Sequence, residues 1–172
     1  SRGSMGGRAA HRPARRVAGM ITPQPVVQVL GPDRFRTLRP HVYHWTVREL
    51  DHRLARMAIP AGFEFDGASV PRVAHAFIGR LDLGLVAPLY HDWLYHYGGR
   101  PPQGSHEWLI GDRWRPVEEP WTRREADRLF GRHMREEGVP RWRRRAAYRA
   151  VRVFGGGSWG GQGSRPPGGF EA

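Results

Sequence analysis

The residues able to do chemistry fall in a few short stretches. His91 and Asp92 sit side by side in Ala87-Pro-Leu-Tyr-His-Asp-Trp-Leu-Tyr95, and Asp127 follows in Arg124-Glu-Ala-Asp-Arg-Leu-Phe130. At helical spacing His91 shares a stripe with Ala87, Leu94, Tyr95 and Gly98, so it is expected to face a core. Asp127 shares a face with Phe130 and Met134, where an unpaired carboxylate would cost several kcal/mol. It therefore needs a partner. If the two helices pair antiparallel, that partner is the imidazole of His91, oriented and kept in one tautomer by Asp127. Tyr95, one turn beyond His91, reads as a hydrogen-bonding phenol beside a base. Asp66, in an Asp-Gly turn, together with Asp92 and loop carbonyls would suit a hard, oxygen-seeking cation such as Ca²⁺. Zinc fits poorly, since the chain has no cysteine and no His-Glu-x-x-His spacing. The same pair also reads as a purely structural clasp, and Asp66 as a plain turn former.

Positioning these groups requires an α+β domain: a small antiparallel sheet from about Val26 to Phe65, packed on a three-helix region with an antiparallel pair. Val26–Leu30 and Val42–Val47 are β-rich runs, and Arg56–Ile59, Pro60-Ala61-Gly62, Phe63–Phe65 reads as strand, turn, strand. A first helix is expected over Leu85–Tyr97, ended by Gly98-Gly99. Thr122 and Glu125 form a capping box that opens a second helix, which Gly138 stops. Pro140 opens a third, running to Phe154. Its apolar stripe is Trp142, Ala146, Ala147, Ala150, Val151 and Phe154, and its basic stripe includes Arg141, Arg144, Arg145, Arg149 and Arg152. Between the first two helices, a polar excursion over 100–120 carries a short hairpin through Glu107–Ile110 and Arg113-Trp114. Residues 1–22 read as a disordered basic tail, 23–155 as one globular domain and 156–172 as a flexible Gly-rich tail. Gly156-Gly157-Ser158-Trp159-Gly160 matches a nucleophile-elbow pattern literally, but it follows no strand and is set aside.

Composition narrows the chemistry. With 172 residues the chain can bury one core. Cysteine and lysine are both absent, which excludes disulfides, thiolate sites, a Walker lysine and Schiff-base chemistry. The formal charge is +12, all of the basic residues being arginine, and Arg2, Arg8, Arg12, Arg15 and Arg16 lie near the N-terminus. Such a chain should associate loosely with polyanions. No window has the composition of a membrane span or signal peptide. Ser1–Ser4 reads as a cloning scar, with the native start at Met5 or Met20.

Two resemblances add to this. Ile59-Pro-Ala-Gly-Phe-Glu-Phe-Asp-Gly-Ala-Ser-Val-Pro-Arg72, His91-Asp-Trp-Leu-Tyr95, Arg124–Phe130 and Ala147-Tyr-Arg-Ala-Val-Arg-Val-Phe-Gly155 resemble a bacterial and phage domain family of unknown function, numbered thirteen-fifty-three among such domains. That resemblance implies a phage or prophage origin and no established activity. More distantly, Asp66-Gly-Ala-Ser, His91-Asp92-Trp-Leu-Tyr95 and Asp127-Arg-Leu-Phe130 resemble the core of secreted bacterial phospholipases A2. That likeness implies that His91 is the general base for an attacking water and that Asp127 orients it. It also implies calcium held by Asp92 and Asp66, with the Gly67 amide as a second oxyanion donor. The chain departs from that pattern in lacking the flanking cysteines, an export signal and any counterpart to its first sixty-odd residues.

The leading expectation is a calcium-dependent phospholipase A2-like ester hydrolase acting at a lipid surface. Alternatives are a hydrolase of cell-wall amides at the same site, and a non-enzymatic phage structural or accessory protein that uses the helix hairpin as scaffold. Non-specific polyanion binding is also compatible with the charge. Sequence-specific nucleic-acid readout has no supporting motif.

Overall fold

The computed structural model describes residues 23–47, 53–66 and 84–160. The expected N-terminal tail, Gly67 with the loop that follows it, and the chain beyond Gly160 lie outside those residues. Among the described residues, seven strands form two antiparallel sheets. β1 (Val27–Gly31), β2 (Arg34–Thr37) and β5 (Glu64–Asp66) make one, in the order β1-β2-β5. β3 (His41–Val47), β4 (Arg53–Ile59), β6 (His106–Ile110) and β7 (Arg113–Pro116) make the other, in that order. Three α-helices among the described residues follow the pattern expected of them: α1 (Val86–His96), α2 (Arg123–Glu136) and α3 (Arg141–Phe154). The α+β class is as the sequence implies.

The single sheet expected over Val26–Phe65 is corrected to two. Ile59 and Phe63 flank a turn, but β5 does not fold back on β4; it pairs with β2, Phe65 opposite Phe35. Thr37 makes the crossing possible. Its hydroxyl donates to the Pro60 carbonyl (2.8 Å) and accepts from the Phe63 amide (3.0 Å). Its backbone N–H binds the Phe63 carbonyl, and its own carbonyl accepts from Gly62, whose φ of 86° suits glycine. The polar excursion becomes the β6–β7 hairpin and extends the second sheet through β4.

Alternation places the core. Tyr43 and Trp45 on β3 and Ala55, Met57 and Ile59 on β4 point to one buried face. α1 lies against it and is buried on nearly every side, from Val86 to Tyr95. This helix has no capping side chain of its own. Glu137, just past α2, accepts the Val86 and Ala87 amides at 3.3 and 3.2 Å and so caps α1 from a neighbouring element. Gly84, at φ 71°, leaves the space that Glu137 fills. At the other end Gly98 and Gly99 both take positive φ, and the Gly99 amide returns to the Leu94 carbonyl at 2.9 Å. The Thr122–Glu125 capping box forms at α2 as its spacing requires.

α3 packs on α2 through a narrow strip of Ala147, Ala150 and Val151. Trp142 and Phe154, expected in that strip, are each 58% exposed instead, because the strip covers only the middle of the helix. The segment expected to be a flexible tail from Gly156 is structured at its start. Gly155–Ser158 forms a 3-10 turn, Trp159 stacks edge-on to Tyr95 at 5.0 Å, and the Gly160 amide donates to the Tyr95 carbonyl at 2.9 Å.

Candidate functional site

α1 and α2 run antiparallel with their small and apolar faces together, which brings His91 and Tyr95 over Asp127. His91 Nε2 lies 3.0 Å from Asp127 Oδ1, and the Tyr95 hydroxyl donates to the same oxygen at 2.7 Å. A carboxylate only accepts, so Nε2 carries the proton and the neutral ring presents Nδ1 as a lone pair. Phe130 and Tyr95 flank the imidazole, with centroids at 4.8 and 4.0 Å. Nδ1 is buried and has no hydrogen-bond partner among the described residues.

The electrostatics follow from these contacts. Burial alone would lower the His91 pKa, but its hydrogen bond to Asp127 and the charge of Asp92 outweigh burial, and the pKa is raised. Burial would raise Asp127, yet His91, Arg152 and Tyr95 together hold its carboxyl below the usual value. Burial and the bond to Asp127 push the Tyr95 phenol upward.

Asp92 occupies the adjacent position on α1. Its Oδ2 accepts the Asp66 backbone amide at 2.8 Å, which fastens the end of β5 to the helix. Its Oδ1 stands 3.9 Å from His91 Nδ1, near enough to favour a charged ring but too far for a hydrogen bond. The Asp66 carboxyl is raised, first by desolvation and then by the negative charge on Asp92. Two carboxylates that repel each other at the mouth of a helix pair suit a hard cation. Among the described residues, however, no three His, Asp or Glu side chains gather as a metal cluster. Among the described residues, further oxygen ligands would have to be backbone carbonyls. Gly67, the other expected contributor, lies outside the described residues.

Sequence reasoning missed Arg152 and Trp159. Arg152, assigned there to the basic stripe of the third helix, donates Nη1 to Asp127 Oδ2 at 2.7 Å. Two signals point to it: a buried carboxylate facing a neutral imidazole still lacks a countercharge, and the α2–α3 hairpin register that sets Gly131 beside Tyr148 sets Asp127 beside Arg152. Trp159 came from a stretch whose composition is all glycine and serine around it.

Fold and site together define a small α+β protein with a buried His-Asp pair bridging two antiparallel helices. The chain belongs to the family described as protein of unknown function (DUF1353), whose model matches residues 42–151. No curated protein and no solved structure matches it.

Proposed function

We propose that the chain is a water-activating hydrolase of the phospholipase A2 type, with His91 as general base and an ester as substrate. The observation that carries this reading is the division of labour on the imidazole. Nε2–H is committed to Asp127, while Nδ1 has a lone pair and no hydrogen-bond partner among the described residues. In the reaction, Nδ1 takes a proton from water as the water oxygen attacks the ester carbonyl. Asp127 stabilises the imidazolium that forms, and that proton then goes to the departing alcohol oxygen. Tyr95 and Arg152 are positioning residues, since they touch Asp127 rather than substrate. Asp92 and Asp66 are the residues that would hold calcium. The chemistry such an ion supplies when bound is polarisation of the carbonyl and stabilisation of the oxyanion.

A second reading has its own support. His91 is 3% exposed and Asp127 is wholly buried, as in a polar clasp that joins three helices without doing chemistry. Calcium calorimetry on wild type beside Asp92→Asn, paired with phospholipid hydrolysis by wild type beside His91→Ala, separates the two. Saturable calcium binding lost in Asp92→Asn, with hydrolysis lost in His91→Ala, supports the hydrolase. No calcium binding at millimolar concentration and no hydrolysis overturn it and leave the clasp.

A further inference from the structure

A second feature stands apart from the His91 site. Between α2 and α3 lies a groove of about 730 Å³ whose lining residues are all arginine apart from Gly131 and Tyr148. α2 contributes Arg128, Arg132 and Arg135, at i, i+4 and i+7. α3 contributes Arg141, Arg144, Arg145 and Arg149, again at helical spacing, with Tyr148 among them. The carboxylate that meets this set among the described residues is Glu136, 3.3 Å from Arg132 Nε. So many like charges facing one volume repel each other, and an anion between them would relieve that repulsion. Arginine's planar fork matches phosphate oxygens in pairs.

The outer edge of the groove says which anion. Trp142, Arg145, Arg149 and Val153 fall at i, i+3, i+7 and i+11, a single line along α3. Trp142 is 58% and Val153 70% exposed, so two groove arginines stand between two largely exposed apolar ends. The Arg143 guanidinium lies over the Trp142 ring at 5.1 Å. A soluble phosphate or a nucleic-acid backbone would use the guanidinium groups and leave Val153 in water. An anionic bilayer surface uses both, with headgroup phosphates in the groove and Trp142 and Val153 in the interface.

We propose that the α2–α3 face docks on anionic membranes, the groove taking the phosphate of lipid headgroups. The docking requires no hydrolysis, so it stands whether or not His91 acts as a base. The N-terminal arginines also favour anionic vesicles, so the informative quantity is the difference between variants of the full chain.

The experiment is co-sedimentation with phosphatidylcholine vesicles, with and without phosphatidylglycerol, beside binding to soluble inorganic polyphosphate. Wild type should bind the mixed vesicles. Reversing charge in Arg145→Glu/Arg149→Glu should weaken that binding by about tenfold or more. Trp142→Ala should weaken vesicle binding several-fold and leave polyphosphate binding unchanged. His91→Ala should bind vesicles as wild type does, which keeps this test separate from that of hydrolysis. Circular dichroism confirms that each variant is folded. Vesicle binding unchanged by the double reversal overturns the groove. Vesicle binding unchanged by Trp142→Ala, with both anions lost in the double reversal, overturns the membrane and assigns a soluble phosphate ligand instead.

Discussion

Arg152 Nη1 donates to Asp127 Oδ2 at 2.7 Å, on the carboxylate oxygen opposite the one that His91 and Tyr95 share. The carboxylate is thereby held by two helices besides its own, and neither of its oxygens can turn away. Asp127→Asn would offer a single acceptor oxygen where the aspartate offers two charged ones. Breaking a buried pair of this kind is expected to cost about 3 kcal/mol, read as a lowered denaturation midpoint. If His91 is the base, hydrolysis should fall by about a thousandfold or more, since the ring is no longer kept in the required tautomer.

The pH dependence of the site has a definite sign. A base must be neutral to act, and the His91 pKa is raised, so activity should climb with pH through a limb above the ordinary 6.5. Asp92→Asn removes one of the charges that raise it, and the titration of the imidazole itself should move down. Stability runs the other way. The contribution of the His91–Asp127 pair through His91 is full below 6.5 and is lost as pH rises through the raised folded value. The same pair, through Asp127's lowered pKa, contributes above 3.8 and is lost as pH falls through the folded value. Proton NMR titration of the imidazole beside a pH–rate profile checks both.

His133 should dominate acid sensitivity elsewhere in the core. Its ring is 1% exposed, packs edge-on against Tyr43 at 4.3 Å, and has no hydrogen-bond partner among the described residues on either nitrogen. Burial lowers its pKa to about 3, and that of His106 to about 4. Both must stay neutral to remain folded, so stability should decline as pH falls from 6.5 toward those values. His133→Leu removes a buried polar group with unmade bonds, and should be neutral or stabilising at pH 7. It should also flatten the acid decline. A steep decline that survives in this variant would place the acid sensitivity elsewhere.

Gly155 offers a sharp steric test of Tyr95. Its backbone is helical, so alanine meets no conformational penalty, but the added Cβ would stand 2.8 Å from the Tyr95 hydroxyl. Gly155→Ala should therefore cost about 1–3 kcal/mol and push Tyr95 off Asp127. Gly157→Ala, where nothing lies within 4 Å, is the control and should be close to neutral. Thermal melts of the two variants decide it.

What could be read from the sequence was whatever periodicity and capping encode locally. Thr122 and Glu125 mark the start of α2 because both halves of the box lie within one turn. Asp127 announces a partner because a carboxylate on an apolar face has no other explanation. The partnership of β5 with β2 was not legible, since it depends on Thr37 meeting Pro60 and Phe63 across a gap of more than twenty residues. Arg152 was hidden for a different reason. An arginine at the edge of an arginine-rich face looks like its neighbours until the α2–α3 register is known. Glu137 likewise reads as a solvent residue near a helix end, although it caps another helix.

That cap sets a length gauge. α1 is held to its partner helix at two stations, Glu137 against its first amides and Asp127 against His91 and Tyr95. From Asp127 to Glu137 the chain climbs about 15 Å, and from Val86 to Tyr95 about 13 Å in the opposite sense. The two spans match, so α1 cannot slide by a turn without losing both fastenings together. The aim of the His91 ring is thus calibrated by a count of residues in the opposing helix. One residue added between Leu129 and Met134 would turn the Glu137 end of α2 by about 100° against its Asp127 end, so that α1 could satisfy one of its two fastenings but not both.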